Sequence, residues 1–408
     1  MESLKELYKS GPGPSSSHTL APRRAILLFM ERVKGMAYAK VELYGSLSLT
    51  GRGHYTDKVI KDTFALIPCE VEFKLDWEYA FPNGMIIKAF NHQDQLLLEW
   101  VVYSIGGGSI MILNEDFDFQ RQIYPHRNLE EIMDFCTFNK ITLPQFAFTY
   151  EPDLPEYLSA ILNDMLFAVK RGLEGSGLLP GKLKMPRVAK SMMLQANILE
   201  SHTQRNRMKL LAYAYANNEE NASLGKVVTA PTLGASGVMA ALMYHCYNDL
   251  GYSRAQLINA LAVGGIIGNV VKTNATISGA VGGCQAEIGV ACAMAAAAMA
   301  YLEGGNLKII EYAAEIGMEH HLGLTCDPVG GYVIIPCIER NGAAVLRAID
   351  AAFMAKTIGA IKPNRVSFDM VIRTMNYTGA KIAMELKETS LGGLATECTW
   401  ELPEDIEH

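Results

Sequence analysis

Ile288–Leu302 is an uncharged, alanine-rich run closed at its two ends by Glu287 and Glu303. A membrane-spanning helix needs about 20 apolar residues, so this run is too short to cross a bilayer. Alanine also offers lipid little surface and lets neighbouring backbones come close, which suits a helix packed on every side by others. A chain that carries such a segment must build a helical core around it.

The sequence around it has the same texture. From residue 156 onward Ala, Leu, Met and Gly dominate, β-branched clusters are few, and apolar residues recur at helical spacing in 156–172, 238–247, 285–302 and 345–357. Before about residue 147 the pattern differs. Short runs at 39–43, 71–75, 84–90 and 97–104 read as strands separated by turn residues such as Asn83-Gly84, while 20–33 and 57–66 keep helical spacing. The expected fold is an α+β N-terminal domain (1–150) with a mixed or antiparallel sheet, followed by an all-α C-terminal domain (151–408). The proline-rich stretch 142–155 is the expected linker.

Charge narrows the function. Lys and Arg number 36 against 43 Asp and Glu, a net charge of −7, and no basic run of five or more occurs, which argues against nucleic acid or an anionic membrane as partner. A small-molecule enzyme is the expectation. The start, Met1-Glu2-Ser3-Leu4-Lys5, lacks the basic-then-apolar layout of a secretory signal, so the expected compartment is the cytoplasm. Eight cysteines in 408 residues are too sparse for a disulfide scaffold, so each is a core thiol, a metal ligand or a nucleophile. Cys292 inside the alanine run, Cys246 on a helical stretch, Cys69 and Cys136 read as inert.

The remaining cysteines sit differently. Cys284 follows Val281-Gly282-Gly283, Cys326 lies in Gly323-Leu-Thr-Cys-Asp-Pro-Val-Gly-Gly331, and Cys337 follows Pro336. Such Gly- and Pro-rich turns and helix ends let thiolates converge. Spacing alone leaves a metal site open, because no Cys-x-x-Cys pair occurs and tetrahedral zinc would want a fourth protein ligand. In the first half, Ser15-Ser16-Ser17-His18-Thr19 precedes a helix with Arg23 and Arg24 in its first turn, and hydroxyls with free N–H groups there can grip an anion or cap the helix. His54 is flanked by glycines, with Asp57 three residues on to orient it; the alternative is a histidine capping a helix that begins near Thr56.

Taken together, Gly13-Pro-Ser-Ser-Ser-His-Thr19, Gly53-His-Tyr-Thr-Asp57, Val228-Thr-Ala-Pro-Thr232, Asn274-Ala-Thr-Ile-Ser-Gly279 with Cys284-Gln285, Glu319-His320 with the Cys326 segment, and Pro336-Cys-Ile-Glu-Arg-Asn341 resemble the iron–sulfur-dependent L-serine dehydratases in their single-chain form. The resemblance implies a [4Fe–4S] cluster on Cys284, Cys326 and Cys337, with one iron open as a Lewis acid. It implies His54 as the base, His18 beside it, and Ser16, Ser17, Thr19, Asn274 and Ser278 as substrate-binding residues at the domain interface. It further implies a homodimer acting on an amino acid, with no pyridoxal phosphate, in keeping with the lack of a Schiff-base lysine motif.

Two departures stand out. Val281-Gly282-Gly283 replaces the Glu-Val-Gly often found before the first cysteine, and the tail continues past Cys398, the candidate resting-state iron ligand, which otherwise reads as an ordinary tail residue near Trp400. The first half also resembles the small substrate- or effector-binding domains of serine-biosynthetic dehydrogenases, which implies ligand sensing. Alternative readings are a lyase for threonine or cysteine and a non-catalytic iron–sulfur sensor.

Overall fold

The computed structural model describes residues 1–78, 81–117 and 121–398. Its strands, in chain order, are β1 (Ser10–Pro12), β2 (Tyr38–Gly45), β3 (Cys69–Phe73), β4 (Asn83–Phe90), β5 (Leu96–Gly106), β6 (Ser109–Ile112) and β7 (Lys226–Val228). Helices α1 (Ala21–Arg32), α2 (Ser46–Leu49) and α3 (Thr56–Phe64) lie among the early strands. From residue 129 the described chain is helical apart from β7: α4 (Leu129–Asn139), α5 (Leu143–Tyr150), α6 (Leu154–Glu174), α7 (Ala189–Ile198), α8 (His202–Ala222), α9 (Ser236–Asn248) and α10 (Arg254–Asn274). Then follow α11 (Gly279–Gly282), α12 (Ile288–Leu302), α13 (Leu307–Glu319), α14 (Cys337–Gly359), α15 (Phe368–Lys381) and α16 (Leu394–Glu397). The α+β-then-α order expected from the texture is the one found.

The sheet runs β3-β2-β4-β5-β6, with β2 and β3 parallel and the other pairs antiparallel. Side chains alternate faces along a strand, so Val41, Leu43, Met85, Ile87 and Val102 point one way and bury against Ala25, Ile26 and Phe29 of α1 and Ile60 and Phe64 of α3. A second core fills the helical half. At its centre α12 is buried from Ile288 to Ala300 and packs on α9, α10, α13 and α14. Small residues allow the close approach: a Cβ on Gly317 of α13 would lie 3.2 Å from the Ala293 backbone. The two stretches apolar enough to span a membrane, Arg254–Asn274 and Cys284–Leu302, are 72% and 83% buried by protein, which makes them core helices.

The two halves are stitched together by the first residues. Met1, Leu4, Leu7 and Tyr8 belong to the helical core, Tyr8 Oη donates to Leu261 O at 2.9 Å, and β1 pairs antiparallel with β7.

Two local expectations are corrected. The stretch 142–155 is no linker: Thr142 and Gln145 form a capping box at the start of α5, and Pro144 and Pro155 sit in the first turns of α5 and α6, where a missing N–H does no harm. Asn83-Gly84 is likewise not a turn but the start of β4, and Gly84 is bare because the Trp77 indole lies against it.

A close crossing supplies a stability prediction. A Cβ on Gly172 of α6 would overlap the Ala216 carbonyl of α8. Gly172→Ala is expected to destabilise by about 1–3 kcal/mol through overpacking, against about 1 kcal/mol gained in helix propensity. The check is the urea midpoint followed by circular dichroism; a raised midpoint would show that α6 and α8 separate at little cost.

Candidate active site

Three thiols converge where the two halves meet. Cys284 opens a short helical turn leading into α12, Cys337 begins α14, and Cys326 lies in the loop after α13. Two of the three thus stand at helix N-termini, where the backbone dipole favours a thiolate. All three are unpaired thiols lining one cleft with Ser15, His54, Glu287 and Glu388. A separate groove between α4, α13 and α15 holds neither cysteine nor histidine.

Charge within the cleft is shared unevenly. The Cys326 thiol sits against Cys284 and, with the Arg340 guanidinium, lowers the Cys284 pKa despite burial. The contact with Cys284 and burial raise Cys326, and burial raises Cys337. Glu287 accepts from Cys326 Sγ at 3.8 Å, and burial pushes its carboxyl up. Arg340 is anchored from behind, donating to Thr325 O at 2.6 Å and to Asp327 at 3.4 Å.

The opposite wall carries two histidines stacked with centroids 4.1 Å apart and planes 16° apart. Their hydrogen bonds separate their roles. His54 Nδ1 lies 2.8 Å from Thr50 O, a pure acceptor, so Nδ1 carries the proton and the Nε2 lone pair is left without a partner among the described residues. Burial lowers the His54 pKa to about 4, so above that pH the ring is neutral and basic at Nε2. His18 has no free nitrogen. Its Nε2 donates to Ser46 O at 3.0 Å, and Nδ1 accepts from Ser17 Oγ at 2.9 Å and Ser15 Oγ at 3.2 Å. Burial and then His54 hold it well below its usual pKa. The His18, His54 and Glu388 donor atoms lie within 4.8 Å of one another, yet stacked rings direct their in-plane lone pairs side by side rather than at one ion.

Glu388 comes from the tail, which runs through the site as a strap. Its N–H donates to Cys326 O at 2.6 Å, Cys326 N–H donates to Leu386 O at 2.8 Å, and Ser46 Oγ donates to Glu388 O at 2.7 Å. Burial first, then Glu287, raise its carboxyl well above the usual range.

The remaining expected residues divide. Ser16 and Ser17 are buried in the turn before α1; Thr19 locks that turn by donating to Pro12 O and Ser15 O. Ser278 is buried with its hydroxyl unbonded. Asn274 is not brought to the cleft: it is exposed, and its amide is held by Arg127 O at 2.6 Å and Val270 O at 2.8 Å at the end of α10. Asp57 makes no hydrogen bond to His54, whose orientation comes from Thr50 instead. Cys398 is exposed outside the cleft, and Trp400 lies outside the described residues. Val281 does not line the cleft either.

Sequence reading passed over Ser46, Thr50, Glu287, Arg340 and Glu388 as site residues. Only Glu287 and Arg340 carried a signal, each lying three residues from a cysteine. As a donor set, two buried thiols, a half-buried one and a cationic guanidinium suit a thiophilic metal group bound through three thiolates.

Comparison with known proteins gives the family. The model described as serine dehydratase beta chain matches residues 3–64, and that described as serine dehydratase alpha chain matches 77–395, so the junction between the two falls inside the five-stranded sheet. The L-serine dehydratase of Streptomyces coelicolor is 38% identical, covering 96% of this chain and 98% of its own. L-serine dehydratase 1 of Escherichia coli is 38% identical (97% and 99%), and the L-serine dehydratase of Haemophilus influenzae 37% identical (97% and 99%). With three thiols, a basic histidine and near full-length similarity in agreement, the chain belongs to the serine dehydratase family, its beta-chain and alpha-chain parts fused in one polypeptide.

Proposed function

We propose that this protein deaminates L-serine to pyruvate and ammonia, using an iron–sulfur cluster held by Cys284, Cys326 and Cys337. The observation that carries the reading is the unpartnered Nε2 of His54 in the same cleft as three unpaired thiols. A cluster bound through three cysteines leaves one iron free of protein thiolate and supplies a Lewis acid for the departing β-hydroxide.

The chain's own residues do the rest. His54 Nε2 takes the Cα proton as hydroxide leaves Cβ; Thr50 O holds the ring in the tautomer that can accept it. His18, pinned by Ser15, Ser17 and Ser46, stacks on His54 and fixes its plane. Water and aminoacrylate are released, and the aminoacrylate tautomerises to an imine that water hydrolyses to pyruvate and ammonia. The cleft is buried, which strengthens each of these interactions.

The test is pyruvate formation from L-serine by protein reconstituted anaerobically with iron and sulfide, beside iron and zinc counts. About four irons per chain with pyruvate formed is expected. Tight zinc on Cys284, Cys326, Cys337 and Glu287 would replace the cluster reading, and turnover of threonine or cysteine in preference to serine would move the substrate. We further infer a cytoplasmic homodimer, checked by light scattering at twice the chain mass.

A further inference from the structure

Four buried polar side chains from distant stretches of chain are left with unpaired atoms, and one of them, Glu388, lies beside the histidine pair. Glu388, 5% exposed, approaches Ser17 Oγ through Oε1 at 3.4 Å and His18 Nδ1 at 3.7 Å, while Oε2 has no partner. Asn83, fully buried at the start of β4, faces the Glu388 carboxyl without closing a hydrogen bond to it, so both its amide atoms are free. Gly84 pairs with Tyr103, and the same register carried one step further sets Asn83 opposite Ser104, whose buried hydroxyl is also bare. Ser278 completes the set: its hydroxyl is unbonded, and it packs against Gly106, two residues beyond Ser104.

Buried polar groups rarely stay unpaired, so a set of this kind marks where something binds. Its chemistry specifies what. A carboxylate oxygen, an amide oxygen and two hydroxyls can all accept, and an alkylammonium brings three N–H donors with one positive charge. Of the two carboxyls in the cleft, Glu287 is already engaged with Cys326.

We propose that Glu388 Oε2 and the Asn83 amide oxygen receive the α-ammonium group of the amino-acid substrate, with the Ser104 and Ser278 hydroxyls completing the subsite. The inference rests on the lyase reading above. It gives the tail strap a purpose: the Glu388 bonds to Cys326 and Ser46 set the ammonium subsite between the cysteine wall and the histidine wall. One carboxylate oxygen of Glu388 and one ring nitrogen of His54 lie within 4.8 Å of each other, so one small substrate can reach both residues. Hydroxy acids and simple carboxylates, lacking the ammonium, forgo these bonds.

The experiment compares wild type, Glu388→Gln and Asn83→Ala, each reconstituted anaerobically. Glu388→Gln is expected to raise the KM for L-serine about 10- to 100-fold, the effect of losing one charge-assisted hydrogen bond, with bound iron and melting temperature unchanged. Calorimetric titration with two unreactive ligands isolates the amine. L-alanine, which keeps the ammonium, should weaken by a similar factor, whereas propanoate, which lacks it, should bind variant and wild type alike. An unchanged KM, or equal weakening of L-alanine and propanoate, overturns the proposal. Should Glu388→Gln lose iron or fold poorly, the same alanine-against-propanoate split in Asn83→Ala decides. A wild type that makes no pyruvate overturns the lyase reading instead, and the binding split, which needs no turnover, still judges the subsite.

Discussion

Replacing Cys326 with serine is expected to abolish iron retention and pyruvate formation together, with turnover down by about 10³-fold or more, since Lewis-acid help to a leaving group is worth several kcal/mol. Cys326 is the thiol with the most neighbours at stake. Its side chain meets Cys284 and Glu287, while its backbone N–H and C=O hold the tail through Leu386 and Glu388. Serine keeps those backbone bonds, so the substitution removes the sulfur and leaves the strap docked. Iron and sulfide per chain, measured beside pyruvate release and melting temperature, check this. Cys292→Ser is the control: Cys292 is buried in α12 with its Sγ 3.4 Å from Ala344 O, does not line the cleft, and should keep both iron and turnover. A Cys326→Ser enzyme that keeps its iron and works within tenfold of wild type would remove Cys326 from the ligand set.

His54→Gln is expected to lower kcat by about 10²- to 10⁴-fold, the usual contribution of a positioned general base, with KM and iron content close to wild type. The side-chain amide of glutamine can still bond Thr50 O yet has no basic lone pair where Nε2 stood. Because burial holds His54 at about pH 4, the base form is the resting form at neutral pH and protonation of this ring does not limit turnover until well into acid. His18→Gln separates the two rings. With both nitrogens already committed, His18 acts by positioning, and its loss should be the smaller and should spread over KM and kcat. Equal losses at the two positions would assign His18 a chemical role that its hydrogen bonds do not suggest.

Much of the fold is legible from local pattern. The alternation at 84–90 and the 3.6-residue period at 156–172 reflect backbone geometries that each residue feels independently, and both elements form where expected. Local pattern fails where a residue has two uses. Pro144 and Pro155 resemble a linker because proline breaks helices, but proline also starts them, and only the capping box around Thr142 tells the two apart. Asn83-Gly84 has the composition of a turn; it is a strand because it pairs with β2, and Gly84 with β5 as well, while Trp77 lies where a Cβ on the glycine would stand.

The sequence by itself determined the chemistry on offer: three cysteines in Gly- and Pro-rich turns, a glycine-flanked histidine and a helical core around residues 288–302, because motifs and periodicity are properties of neighbours along the chain. Only the tertiary structure decided which groups share the cleft. Asn274 stands in a matched motif yet ends up at the surface, bonded to Arg127, whereas Glu388, with no motif to mark it, reaches the histidines across more than 300 residues of chain. The physical reason is burial. The tail strap brings Glu388 and Asn83 together from opposite ends of the fold, and a carboxyl acquires a specific task only once water has been taken from it.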